Sequence, residues 1–206
     1  MLDVVIKGGP VMIPLIALSI LGLAVSLERI WYLAKTRADT EELVDDVKLC
    51  LEEGKVLEAM QILKKTPGPV AAIFAAGIAY SDRPKDELKE HLEEVGQDEI
   101  FKMERGLGLL SAIVTIAPLL GLLGTVTGII RSFRVLGAFQ GVASPAALSV
   151  GIAEALITTA TGLIIAIPFM AIHSWLSGVI ERRVREMSRS ALELIDMLSS
   201  KGVARL

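Results

Sequence analysis

AALSVGIAEALITTATGLIIAIPFMAI, residues 146–172, carries one ionisable side chain, Glu154, in about 27 residues. At ~1.5 Å of rise per residue the stretch exceeds the ~30 Å hydrocarbon layer of a bilayer, so it reads as a transmembrane helix. A carboxylate inside such a helix is costly and turns away from lipid. Gly151, Glu154, Thr158 and Thr161 are spaced i, i+3, i+7 and i+10 and share one sector of the wheel. That polar face requires either a protein neighbour or a water-filled path.

The rest of the chain has the same character. Its 206 residues are 52% hydrophobic, with a mean hydropathy of +0.59, so an integral membrane protein is expected. The formal charge is −3, and only two Trp, two Tyr and five Phe are present. Neither a basic field nor a stacking platform for nucleic acid exists, and no nucleic-acid partner is expected. Cys50 is the single cysteine and cannot form an intrachain disulfide; it reads as a partly buried thiol.

Residues 1–10 end in a Gly-Gly-Pro turn signal, and an uncharged run follows from Val11 to Leu27. A signal peptide competes here, since Ala24-Val25-Ser26 imitates a cleavage site. Asp3 opposing Lys7, and the continuation into the interface pair Trp31-Tyr32, favour a retained first span. Between residues 35 and 105 the pattern becomes that of four polar or short helices. Asp39 with Glu42 resembles a cap, and Gly54 stops the first of them. KVLEAMQILKK ends at Pro67-Gly68-Pro69, and VAAIFAAGIAY is too short to span and reads as a buried helix. Pro84 opens a charged helix with no clear stop before Gly106, so one continuous rod is expected from Pro84 into the second span.

That second span covers about Leu107 to Ile130. Pro118 should loosen it, and Gly121, Thr125, Gly128 and Ser132 form a small-residue stripe, with Gly124 and Gly128 as a close-packing pair. The connection from about Leu136 to Pro145 is short, which makes spans two and three an antiparallel hairpin centred near Val142. Thr125 then lies level with Thr159, Glu154 lies opposite Ile130, and Pro118 and Pro168 fall at one level as matched breaks. Arg182, Arg183, Arg185 and Arg189 follow the third span, while Arg29, Lys35, Arg37, Lys102 and Arg105 flank the first two. By the positive-inside rule the middle region and the C-terminus are cytoplasmic and the N-terminus is outside. Arg131 and Arg134 dissent, and suit lipid headgroups or acidic residues of a partner.

Enzyme signatures are missing. His91 and His173 are far apart, and no H-E-x-x-H, G-x-S-x-G or phosphate loop occurs. No enzyme activity, cofactor or metal is expected. One carboxylate with several hydroxyls suits a proton path better than a cation cage. The residues alone leave ion conduction equally open with a structural role in which Glu154 locks helices or pairs with an arginine.

Three stretches bear a likeness to a known family: GGPVMIPLIALSILGLAVSLER (8–29), APLLGLLGTVTGIIRSF (117–133) and GIAEALITTATGLIIAIP (151–168). Together they resemble the ExbB/TolQ/MotA family of proton-channel subunits. Flagellar-stator members have an extra span and usually lack the acid of the third motif, so Glu154 points to the ExbB/TolQ side. The resemblance implies five-subunit rings, with spans two and three lining a lumen. The lumen holds the helices of an ExbD/TolR-type single-span partner that bears an essential aspartate. It also implies a multi-pass inner-membrane motor that energises TonB-dependent import through a TonB-like protein. A TolQ-like role in envelope constriction shares the same motif residues, and a passive membrane scaffold is the rival from another class. Carried onto this chain, the lumen residues are Thr125, Glu154 and Thr159. Thr159 lies about 140° from Glu154 on the wheel, whereas Thr158, which stands where the family pattern has alanine, lies beside it, so Thr158 is also expected on the proton path. The expected fold class is all-α: three transmembrane helices, with long helices extending into a helical cytoplasmic domain, assembled as a homopentameric ring. Its expected segments are 1–34 (first span), 35–105 (cytoplasmic), 106–175 (hairpin of spans two and three) and 176–206 (C-terminal cytoplasmic helix).

Overall fold

A computed structural model describes residues 8–36, 40–138 and 145–200. Among them every regular element is helical: α1 (Met12–Lys35), α2 (Thr40–Glu52), α3 (Val56–Lys65), α4 (Pro69–Ala79), α5 (Lys85–Glu104), α6 (Leu107–Ala138) and α7 (Pro145–Ser200). Three of these, α1, α6 and α7, are long and apolar enough to cross a membrane. The expected Asp39 cap and the loop centre at Val142 lie outside the described residues.

Two compact units divide the chain. One comprises Met1–Glu28 with Gly106–Trp175, the other Arg29–Arg105 with Leu176–Leu206. In the first unit α6 and α7 form an antiparallel hairpin along a seam of small residues. A Cβ on Gly121 would lie 3.0 Å from the Thr159 Cα, and one on Gly128 would lie 2.7 Å from the Gly151 carbonyl. One on Gly162 would lie 2.6 Å from the Ala117 carbonyl. Such approaches bring backbone against backbone, which is how helices adhere where no hydrophobic drive separates side chain from lipid. Helix α1 packs parallel to α7, with Gly22 against the Phe169 ring and Gly8 beside Ile157. Its buried positions Met12, Leu15, Gly22 and Ser26 keep the spacing of one helical stripe.

The second unit is a helical cluster of α2–α5 with the C-terminal part of α7. Phe74 and Ile73 of α4 sit at its centre with Leu92 and Leu194. The short apolar α4 is therefore a buried core helix, as its length suggested. Two arginines satisfy helix ends within this unit. Buried Arg29 donates from Nη1 to the Lys102 carbonyl (3.0 Å), near the open end of α5. Arg183 donates to Thr36 Oγ1 (2.7 Å) and to the Leu33 carbonyl at the end of α1. Lys102 also donates to Glu99 (2.6 Å), and that hydrogen bond holds its ammonium above the ordinary lysine pKa.

The helices depart from expectation at two points. The rod from Pro84 is interrupted: α5 ends at Glu104, Arg105 takes an extended conformation, and Gly106 has φ +83° before α6 begins at Leu107. Glycine reaches that left-handed region without a Cβ penalty, so Gly106 acts as the stop that charge pattern alone did not reveal. The matched proline breaks are also absent. Helices α6 and α7 run unbroken through Pro118 and Pro168, since the lost amide donor is absorbed by neighbouring turns. Nor are the prolines level. Ala117 meets Gly162, which leaves Pro168 about 9 Å further along α7 at ~1.5 Å per residue.

Phe74 is wholly buried, so Phe74→Ala should cost about 3–5 kcal/mol. Thermal unfolding in detergent should show a clearly lowered transition.

Candidate functional site

Glu154 is the charged residue around which the first unit closes. It lies in the third turn of α7 on the buried side. Its Oε2 accepts a hydrogen bond from Arg131 Nη1 of α6 at 2.6 Å, an ion pair with a short, charge-assisted geometry. The two partners are unequal, because the Glu154 side chain is 9% exposed and the Arg131 side chain 56%. The other oxygen faces the turn that leads into α1. A Cβ on Gly9 would fall 1.9 Å from Oε1, and Gly9 holds φ +68°. Only glycine permits both that backbone conformation and that closeness.

The neighbouring hydroxyls are engaged elsewhere. Thr158 is fully buried and donates to its own helix, to the carbonyls of Ala155 (2.9 Å) and Glu154 (3.1 Å). Its side chain fills the space opposite Gly124, where an added Cβ would lie 2.1 Å from Thr158 Oγ1. Thr159, half-buried, reaches across the hairpin and donates to the Gly121 carbonyl at 2.9 Å. Thr125, also half-buried, donates to the Leu122 carbonyl at 2.6 Å. Thr161 donates to the Ile157 carbonyl at 2.8 Å.

Set against the sequence expectations, the polar sector of α7 has its protein neighbours within this chain. Gly151 lies against Ser132 and Gly128, Glu154 against Arg131 and Gly9, and Thr158 against Gly124. Gly121, Gly124 and Gly128 are all buried in the hairpin seam. Pro118 is half-buried and Pro168 exposed. Glu154 makes no hydrogen bond to Thr125 or Thr159 among the described residues, and Thr159 meets α6 one turn before Thr125. Arg131 requires correction. Its place beyond the second span suits headgroups or a partner, yet it pairs with Glu154 of the same chain. The expected register set Ile130 opposite Glu154, whereas Gly128 packs between Gly151 and Ala155, so the backbones are shifted by about a turn and Arg131 reaches back along α6 to the acid. Nothing in the sequence singled out Gly9, because its closeness to Glu154 arises from α1 packing on α7. Among the described residues no group of three or more His, Cys, Asp or Glu is placed to hold a metal ion.

The sequence of this chain is similar to that of known proteins. The MotA/TolQ/ExbB proton channel family matches residues 65–189. The chain is 36% identical over 199 residues to a putative biopolymer transport protein ExbB homolog of Methanothermobacter thermautotrophicus, covering 96% of this chain and 68% of that protein. It is 39% identical over 170 residues to a putative biopolymer transport protein ExbB-like 1 of Synechocystis, covering 81% of this chain and 66% of that one. It is also 39% identical over 94 residues to biopolymer transport protein exbB1 of Vibrio cholerae, covering 46% of this chain and 41% of that protein.

Gly124→Leu forces a side chain onto Thr158, and overpacking of this kind costs about 1–3 kcal/mol. Thermal aggregation of the purified protein in detergent should begin at a lower temperature.

Proposed function

The chain belongs to the MotA/TolQ/ExbB proton channel family, and we propose that it is an ExbB-like subunit of an inner-membrane motor driven by the proton motive force. In this reading it works on an ExbD-type single-span partner bearing an essential aspartate, and energises TonB-dependent outer-membrane import. The observation that carries the proposal is Glu154, a buried carboxylate inside an apolar helix of a chain in this family. A charge in that position is retained at a cost of some kcal/mol, which a transport role explains.

The proposal includes a homopentameric ring, a periplasmic N-terminus and a cytoplasmic C-terminus. It also includes the division into segments 1–34, 35–105, 106–175 and 176–206. Thr125 and Thr159 are placed with Glu154 on the proton path, because both hydroxyls are half-buried and retain lone pairs for water or a partner. Thr158 supports the path by packing, since its side chain is enclosed in the hairpin. Each proton crossing the membrane releases ~2.3 kcal/mol per 100 mV, so a few protons are enough to drive a conformational cycle.

A second reading, a passive scaffold in which Glu154 only locks helices, is favoured by one observation, the Arg131 ion pair. Proton flux separates the two. Proteoliposomes holding the chain with its single-span partner should show partner-dependent flux. Glu154→Ala should lower that flux by about tenfold or more, a barrier change near 1.4 kcal/mol, and Thr125→Ala should lower it less. Flux unchanged in both variants, or independent of the partner, rejects the channel in favour of the scaffold.

A further inference from the structure

We infer that Arg131 is a positioning residue that latches Glu154. It holds Oε2 while the Gly9 turn covers Oε1, and a proton reaches the carboxylate only when the guanidinium lets go. The inference rests on the proposed proton path through Glu154 and adds to it the group that controls access.

Three observations and one general cost carry it. The contact is short and charge-assisted, Nη1 to Oε2 at 2.6 Å. It is lopsided, with the acid enclosed and the base largely exposed, so the arginine is the member able to move. Once released, its donors can be met outside the hairpin, whereas Glu154 is fixed in the seam. Among the described residues Arg131 is also the side chain that bonds the carboxylate. The Thr158 hydroxyl is bonded to the main-chain carbonyls of Glu154 and Ala155, Thr159 is bonded to Gly121, and the described residues of the Gly9 turn, 8 to 11, are uncharged. Finally, a buried carboxylate stripped of its counter-ion is costly in an apolar span, and taking up a proton removes that cost. Opening the latch and loading the proton are thereby coupled. Arg134, three residues on in the same helix, is exposed and makes no such contact, so it serves as the internal control.

A hydrophobic carbodiimide tests this, because it reacts with neutral carboxyls in apolar surroundings. The carboxyl proton passes to a carbodiimide nitrogen, and the carboxyl oxygen adds to the central carbon. Membranes containing the full chain and its partner are treated near pH 7, and modification of Glu154 is read by mass spectrometry. Arg131→Gln should raise Glu154 modification by about fivefold or more, about 1 kcal/mol in access to the acid. Arg131→Lys, which keeps the charge, should stay near wild type, as should Arg134→Gln. Should Arg131→Gln fail to accumulate, Arg131→Met, which keeps an apolar stem, takes its place with the same outcomes. Wild-type modification in the Arg131 variant, or an equal rise in Arg134→Gln, overturns the inference. So does a matching rise with a water-soluble carbodiimide, which would report a loosened hairpin. Modification is read without flux, so the two failures separate. Flux indifferent to Glu154→Ala ends the proton-path reading, while modification indifferent to Arg131→Gln ends the latch alone.

Discussion

A carboxylate in an apolar span needs polar company, and in this chain Arg131 supplies it while the turn before α1 covers the other oxygen. The rest of the first unit follows from that requirement. For Arg131 to reach Glu154, α6 and α7 must be antiparallel and in a particular register, and the small-residue seam supplies that register. For the second oxygen to be covered, α1 must pack parallel to α7, and Gly9 must tolerate a left-handed backbone against the carboxylate. The acid is thus held by three segments distant in sequence, each of which has a local reason to be where it is.

The seam has a second consequence. Gly121, Gly124, Gly128, Gly151 and Gly162 let the backbones of α6 and α7 approach until carbonyls and Cα atoms limit the contact. Hydroxyls near such a seam are drawn into local bonding, and Thr158 turns back to its own helix while Thr159 crosses to Gly121. Two adjacent threonines therefore differ in kind. Thr158 is a packing element in a closed space, and Thr159 ties the two helices together while keeping a half-exposed side chain.

The second unit handles charge differently. Its core is an ordinary apolar cluster around Phe74, and its two notable arginines, Arg29 and Arg183, are bound to carbonyls near helix ends. Both lie in stretches whose basic residues read as markers of the membrane border. Being near a border and capping a helix are compatible uses of one guanidinium, because its several donors suit unpaired carbonyls. Gly106 separates α5 from α6 by a backbone conformation that a helix-rich charge pattern could not announce.

Periodicity, length and composition were enough to establish the helices, the three candidate spans, the buried character of α4 and the special status of Glu154. These depend on spacing along one segment and on the cost of charge in hydrocarbon, both of which are local properties. Motif likeness added the family. The hairpin register was legible only to about one helical turn, since Gly128 packs between Gly151 and Ala155 and Thr159 meets Gly121 rather than Thr125. Which arginine pairs with that acid was not legible, because Arg131 reaches it from about a turn away along α6, which depends on helix rotation and side-chain length. The levels of Pro118 and Pro168, the stop at Gly106 and the placement of Gly9 against Oε1 were decided by tertiary structure alone. Each depends on how closely two backbones can approach or on a single dihedral angle, and neither quantity is written in the pattern of apolar and polar residues.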